Sequence, residues 1–406
     1  MLEPAHLEAA LRHLLYKHPV LRTRSHRMES GEHIQVVLKG VDFHLAVVDL
    51  SELNSAAQEK AVANLIAQDR PFVLGETGIR FTLLVYGKRN HGLFISTHHA
   101  IIDGWALVEL RNELMALYQE SDQERATLRT PASGNVFKEH VALEREAQTF
   151  ADHQQAWREL ITDYQPMPAL DSIATDASAS NTLGLHVDAA LVSGLKHHAE
   201  QQGVTLKTLL LLAYQRALGN LLTVDTVTVD VVCSGRSPRL SDPLGAIGLF
   251  WSLLPICTRL SAHQSDAEAI AATARKLLTM DAHSLFPADR VRKLIDVESM
   301  TYAAFNYVNF HNAKTGSGKS GEHEIGELKV RYASDRFAYA VKLAISGDDG
   351  DGIDGSIEFD RRHFSAERMS ELRTDFLARL RQLGNPVEKT HIKVFAEKVH
   401  AEEVHD

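Results

Sequence analysis

The sequence alternates helical and strand-like hydrophobic patterns in two successive runs, which predicts two α/β units of comparable size. Residues 163–181 separate the runs and carry Pro, Ala and Ser without periodicity, as linkers do. We therefore predict an N-terminal lobe over residues 1–165, a linker over residues 166–181 and a C-terminal lobe over residues 182–406.

Each run contains recognisable elements. In the first run, an apolar helical stripe ends near Pro19, and two strand patterns joined by residues 87–90 predict a hairpin. In the second run, Asp188 is predicted to cap a helix, and the helix from Thr205 is apolar on nearly every side, as in a buried helix. Further strands are predicted at Val227–Val232, Tyr302–Phe310, Leu328–Tyr332, Phe337–Ile345 and Ile353–Phe359, followed by a helix capped by Ser365.

Composition narrows the function classes. The chain has 406 residues and a net charge of −10, which argues against a binder of the nucleic-acid backbone. Cys233 and Cys257 form no CxxC pair, so neither a disulfide framework nor a structural zinc site is expected. No apolar run approaches the roughly 20 residues of a membrane span, and the N-terminus lacks a basic, apolar leader. We expect a soluble, cytoplasmic protein.

The residues most typical of chemistry are the seven from His98 to Gly104, HHAIIDG, between a predicted strand and a predicted helix. A strand end holds an imidazole in place, and an imidazole with a pKa near ~6.5 accepts a proton from a nucleophile at neutral pH. Asp103 is predicted to brace the loop by pairing with an arginine, and Gly104 to relieve crowding at the turn. A purely structural role for a His with an Asp four residues later is the alternative.

The segment HHAIIDGWA resembles the HHxxxDGWS signature of condensation domains of nonribosomal peptide synthetases, within the wider superfamily of HHxxxDG acyltransferases. Further segments resemble other motifs of this family in the same order over nearly the whole chain: Leu7–Ser25, Arg70–Phe72, Gly203–Tyr214, Ser234–Arg236, Gly248–Pro255, His283–Val291, Phe305–Asn306 and Ile353–Phe364.

The resemblance implies two chloramphenicol-acetyltransferase-like lobes in a V-shaped pseudodimer, with the active site in a tunnel between them. It implies that His99 deprotonates or positions the attacking amine, with His98 and Gly104 completing the motif. Asp103 is then structural and paired with Arg22. The same resemblance assigns three residues to the substrate tunnel: Trp105, Ser252 and Asn306.

Substrates in this family arrive on the phosphopantetheine of carrier proteins, so the resemblance implies carrier proteins and other synthetase modules as partners, without a resident cofactor. His98 and His99 lack an obvious third ligand, so no metal site is expected. The glycine-rich segment 313–320 and the acidic segment 348–352 are interpreted as a surface loop and a turn.

Two departures from the family pattern bear on function. The family's first conserved strand and helix have no counterpart here, so the N-terminal edge is expected to be truncated, and Trp251-Ser252-Leu253 replaces an Asn-Thr pattern. The leading hypothesis is an acyltransferase that forms an amide between a carrier-tethered acyl or peptidyl thioester and an amine. The alternatives are an ester-forming acyltransferase of the same superfamily and a degenerate, non-catalytic docking domain.

Overall fold

The computed structural model describes residues 2–31, 33–119, 136–170, 180–261, 263–295, 301–308, 339–346 and 352–384. These residues form a mixed α/β structure with separate N-terminal and C-terminal cores. The predicted strand at 328–332 and the loop at 313–320 lie outside the described residues.

The N-terminal lobe is built around a three-stranded sheet and a separate hairpin. Its elements are α1 (Pro4–Lys17), a 3₁₀ turn (Pro19–Arg22), β1 (Thr23–Arg27), β2 (His33–Val37), β3 (Ala46–Asp49), α2 (Ser55–Gln68), β4 (Ile79–Gly87), β5 (Asn90–Thr97) and α3 (Gly104–Gln119). The sheet has the order β3-β4-β5, and β4 and β5 form the predicted antiparallel hairpin.

Helices α1 and α3 cover one face of this sheet because their apolar stripes match its apolar side chains. Leu11 and Leu14 of α1 are fully buried against Leu83 of β4 and Leu110 of α3 in one cluster. Helix α2, which begins where Asn54 accepts a hydrogen bond from the Ala57 N–H, packs in a second, smaller cluster with strand β4. The sheet is thereby covered on both faces.

The C-terminal lobe carries a six-stranded sheet with the order β6-β11-β10-β9-β7-β8. The remaining elements are α4 (Val136–Ala147), α5 (Ala151–Leu160), β6 (Ser180–Asp188), α6 (Ala189–Gln201), α7 (Leu206–Leu222), β7 (Thr226–Ser234), β8 (Trp251–Arg259), α8 (Asp266–Ala282), α9 (Ala288–Lys293), β9 (Ala303–Val308), β10 (Val341–Ser346), β11 (Gly352–Asp360) and α10 (Ala366–Gly384). Strand β9 runs parallel to β7 and β10, and the other pairs are antiparallel.

Helix α7 is the centre of the C-terminal core. It is buried over nearly its whole length, which confirms the interpretation of its uniformly apolar sequence. The Tyr214 ring on α7 lies 6.1 Å from the ring of Phe305 on β9, so this face of the sheet is the one that the helices cover. The Asp188 carboxylate accepts the Leu191 N–H and caps α6 as predicted, and the Ser365 hydroxyl accepts the Arg368 N–H at the start of α10.

Helix α5 belongs to the C-terminal core by its packing, although the predicted boundary at residue 165 assigns it to the N-terminal lobe. Trp157 is fully buried in that core together with Leu160 and Ile161, and its indole N–H donates to the His283 carbonyl at 3.2 Å. Among the described residues, no helix has the length and apolar character that crossing a membrane requires.

Truncating Trp157 to Ala is expected to lower the free energy of unfolding by about 3–5 kcal/mol, since a fully buried aromatic side chain leaves a cavity. The matched control is Phe150→Ala at the start of the same helix, where the side chain is 51% exposed and the change should stay within about 0.5 kcal/mol. Urea unfolding of both variants measures the difference, and equal losses would contradict the assignment of α5 to the core.

Candidate active site

The HHAIIDG segment forms a tight turn between β5 and α3. The His98 N–H donates to the Gly78 carbonyl and thereby extends the pairing of β4 and β5 by one residue beyond the strand. The Ile101 N–H then donates to the His98 carbonyl, and the Ala100 N–H donates to His98 Nδ1 at 3.0 Å. Because Nδ1 of His98 is an acceptor, the neutral ring carries its proton on Nε2, and this side chain holds the turn.

His99 has the opposite tautomer. Its Nδ1 lies 2.9 Å from the Ile102 carbonyl oxygen, and a carbonyl oxygen only accepts, so Nδ1 carries the proton in the neutral ring. The lone pair is therefore on Nε2. A half-buried imidazole with a fixed Nδ1–H and a basic Nε2 has the arrangement that a general base requires.

Asp103 is buried, with 3% of its surface exposed, and it caps α3. Its Oδ1 accepts the Ala106 N–H at 2.7 Å, and its Oδ2 accepts the Phe250 N–H at 2.9 Å. Arg236 donates through Nη2 to Oδ1 and Oδ2 at 3.1 and 3.3 Å. Gly104, the first residue of α3, is exposed directly after this cap.

The predicted pairing of Asp103 with Arg22 is wrong. The Arg22 guanidinium instead donates to main-chain carbonyls, namely those of Leu15, Tyr16, Leu38 and Lys39. It therefore joins the end of α1 to the residues that follow β2. Both arginines satisfy acceptors that would otherwise lack donors, but only Arg236 is placed to neutralise the buried carboxylate.

Both terminal nitrogens of the Arg236 guanidinium are hydrogen-bonded, and one of its faces covers an aromatic ring. Its Nη1 donates to the carbonyls of Pro243 and Ala246 at 2.8 and 2.9 Å, and its guanidinium carbon lies 4.4 Å above the centre of the Phe250 ring. Its side chain is only 8% exposed. The sequence contained a signal for this role, since Ser234–Arg236 resembles a family motif, but the motif alone did not indicate which acid the arginine meets.

The turn is also fixed to the C-terminal lobe by its main chain. The Asp103 N–H donates to the Gly248 carbonyl at 3.0 Å, and the indole N–H of Trp105 donates to the Leu244 carbonyl at 2.8 Å. The histidines, carried by the N-terminal lobe, are thus positioned by residues 244–250 of the C-terminal lobe.

Trp251, the first residue of β8, packs against His99. Its ring centre lies 5.4 Å from that of His99, with the planes at 80°. Trp251 pairs with Ser234, and alternate residues of a strand point to the same face. The register therefore places Trp251, Ser234 and Asn306 on the face opposite helix α7. It places Ser252, which pairs with Cys233, on the helix-covered face, so the three predicted tunnel residues do not share one surface.

A buried histidine lies behind Arg236. Burial, with a smaller contribution from the neighbouring Arg236 charge, lowers the pKa of His140 to about 4. Burial also raises the pKa of Glu144, one turn further along α4, to about 7, with Asp289 adding to the effect. Both groups therefore favour their neutral forms between these values. Across the described part of the chain, no three His, Cys, Asp or Glu side chains converge as metal ligands do.

The Condensation domain family model matches residues 1–393. The chain therefore belongs to the condensation-domain family, and this confirms the resemblance seen in its motifs. Membership in this family implies an acyltransferase of the kind found in nonribosomal peptide synthetases.

Two relatives illustrate the similarity. The antimetabolite synthetase AmbE of Pseudomonas aeruginosa is 28% identical over 314 residues, which cover 76% of this chain and 14% of AmbE. Surfactin synthase subunit 1 of Bacillus subtilis is 23% identical over 416 residues, which cover 98% of this chain and 11% of that subunit. The chain thus spans only a small part of the length of these synthetases.

Solved structures share the fold. The X-domain in complex with OxyB from teicoplanin biosynthesis superposes with a TM-score of 0.75 at 18% identity, covering 94% of this chain and 86% of that one. The first condensation domain of the calcium-dependent antibiotic synthetase, in complex with a substrate analogue, superposes with a TM-score of 0.67 at 18% identity, covering 94% and 89%. The expected chloramphenicol-acetyltransferase-like fold is confirmed.

Replacing Arg236 with Ala is expected to lower the free energy of unfolding by about 3–5 kcal/mol, because it leaves the Asp103 carboxylate buried without its cation. The matched control is Arg239→Ala, which removes an exposed pair with Glu146 and should cost less than about 1 kcal/mol. Denaturant unfolding compares the two variants, and similar small losses in both would contradict the role given to Arg236.

His140 is expected to contribute stability that is lost in acid, and the raised pKa of Glu144 acts in the opposite direction over the same pH range. The folded pKa of His140, about 4, lies below the ordinary 6.5, so the unfolded chain binds more protons between these values. The stability contribution is complete above pH 6.5 and is lost as the pH falls towards 4. His140→Gln should remove this contribution, so that the difference in unfolding free energy between wild type and variant changes by on the order of 3 kcal/mol between pH 7 and 4. His197→Gln, at an exposed site, should leave that difference constant. Unfolding free energies measured from pH 4 to 7 test this, and parallel curves would contradict it.

Proposed function

We propose that the chain transfers an acyl or peptidyl group from a carrier-protein thioester to an amine and so forms an amide in nonribosomal peptide biosynthesis. The observation that carries the proposal is the tautomer of His99. Its Nδ1–H is directed to the Ile102 carbonyl, so Nε2 is the basic atom, at the junction of the two lobes. Family membership supports the same reaction class.

The proposed reaction needs one proton acceptor. The amine nitrogen attacks the thioester carbonyl carbon and forms the C–N bond, and His99 Nε2 takes the proton that the nitrogen loses. Collapse of the tetrahedral intermediate breaks the C–S bond, and the proton returns from His99 to the departing sulfur. Atoms and charges balance without a redox or metal-dependent step.

In this proposal, alignment of the two substrates supplies most of the remaining reduction of the activation barrier. Two substrates that are each tethered to a carrier and aligned at one base have already lost much of their translational freedom, and this removes a large part of the barrier. Asp103 and Arg236 act as positioning residues, since they fix the turn that carries His99 and touch no reacting atom. His98 supports that turn through its bond from the Ala100 N–H.

The proposed partners are carrier proteins that deliver substrates on phosphopantetheine arms, within or beside a larger synthetase. The length of the relatives supports this setting, because the chain matches only 14% of AmbE. With a net charge of −10, the chain does not attract an acidic carrier as a whole, so docking in this proposal depends on local, largely apolar contacts.

The test is product mass spectrometry on the purified protein with acyl-loaded carrier protein and a panel of amine and alcohol acceptors. His99→Ala is expected to reduce the rate of product formation by about 10²–10⁴-fold, because the general base is lost. His197→Ala, at an exposed position on α6, is the matched control and should retain the wild-type rate. Circular dichroism verifies that each variant is folded.

The products distinguish the alternatives. An amide that disappears in the folded His99 variant supports the proposal, whereas an ester from an alcohol acceptor assigns the ester-forming reaction instead. Absence of any product from folded wild-type protein over the whole panel would contradict catalysis and favour a docking domain.

A further inference from the structure

The sheet face that carries Trp251 continues away from His99 as a defined surface. On β7 this face presents Ser234, Val232 and Asp230, and on β8 the paired residues are Trp251, Leu253 and Pro255. Ser234 is exposed, Val232 and Leu253 are half-buried, and Asp230 is 3% exposed. The surface therefore starts open beside the proposed base, becomes apolar, and ends at a buried carboxylate roughly 13 Å further along the strand.

Asp230 is incompletely bonded. The Tyr339 hydroxyl donates to its Oδ2 at 2.6 Å, and Arg292 Nη2 lies 3.8 Å from the same oxygen. Its Oδ1 has no hydrogen-bond donor within the described ranges. Burial raises the pKa of this carboxyl to about 6 in spite of Arg292 and Tyr339, as expected for a charge that lacks full compensation. A buried carboxylate oxygen without a donor destabilises the fold unless something binds it.

A second unpartnered oxygen lies on the same face. Asp230 pairs with Ala304 of β9, and the parallel register puts Asn306 next to Val232, one step closer to Ser234. The Oδ1 of Asn306 is also buried, and no donor to it is found in the part of the chain that is described. Ala304, which pairs with Asp230, carries only a methyl group on this face.

The neighbouring strand supplies no free cation for these oxygens. Lys342 of β10 pairs with Ala304 and shares the face, but its Nζ lies 2.8 Å from the Glu358 carboxylate. The surface thus combines an apolar stretch with two acceptor oxygens at its deep end. An ammonium group on an apolar spacer offers three donors and a positive charge, which match these features.

We propose that Asp230 and Asn306 determine specificity by binding an ammonium group at the end of the side chain of a substrate held at His99, as in a lysine-like or ornithine-like residue. The inference rests on the proposed function, since it assigns a substrate class to that site. The apolar part of the side chain packs on Val232 and Leu253, and the ammonium donates to Asp230 Oδ1 and Asn306 Oδ1.

The kinetic test compares substrates that differ only at the side-chain end, such as lysine amide and norleucine amide as acceptors, together with the matching acyl donors on carrier protein. Wild-type protein is expected to prefer the ammonium substrate by at least about tenfold in kcat/KM, because the neutral analogue leaves two buried acceptors unpaired. Asp230→Asn should reduce this preference at least about tenfold. Asp354→Asn, at an exposed position on β11, is the matched control and should keep it.

A binding measurement separates failure of this inference from failure of the proposed reaction. Isothermal titration of lysine amide and norleucine amide into the His99→Ala protein requires no turnover, and the ammonium ligand should bind at least about tenfold more tightly. Asp230→Asn in that background should abolish the difference, and Asn306→Ala serves the same purpose if the Asp230 variant does not fold. Equal affinities for the two ligands, or a preference that survives both substitutions, would overturn the inference whether or not product forms.

Discussion

The buried pair of Asp103 and Arg236 is the interaction on which the site depends. Asp103 belongs to the turn after β5 in the N-terminal lobe, and Arg236 follows β7 in the C-terminal lobe. The same carboxylate caps α3 and accepts the Phe250 N–H, so one side chain connects the start of α3 with the residue before β8 in the C-terminal lobe. Because both charges are shielded from water, removal of either one leaves the other uncompensated. The same contact therefore fixes the position of the histidines and holds the two lobes together.

Much of the fold could be predicted from the sequence, because hydrophobic periodicity is a local property. The β4–β5 hairpin, the buried helix α7 and the caps at Asp188 and Ser365 all follow from residues close together in the chain. The partner of Asp103 could not be predicted in this way. Arg22 and Arg236 are equally suitable as cations, and only the packing of residues 244–250 against the turn decides between them.

The same distinction explains two other differences. Ser252 and Trp251 are neighbours in sequence, yet the strand register sends them to opposite faces, and register depends on which strand β8 pairs with. The boundary near residue 165 followed a change in composition, whereas the burial of Trp157 follows from contacts with helix α8 and the residues after it. Sequence patterns predict the positions of helices and strands well, and they predict poorly which side chains meet between those elements.

The contacts of Asp103 form late during synthesis of the chain. Asp103 and Phe250 are 147 positions apart in the chain, so their hydrogen bond closes a long loop between the two lobes. Contacts between residues so distant in sequence cannot form while the ribosome has delivered only the first lobe. A nascent chain carrying the complete HHAIIDG segment therefore has the local bonds of the turn but lacks the contacts of Asp103 with Arg236 and Phe250. The complete set of Asp103 contacts forms only when the second lobe has been synthesised and has docked onto the first.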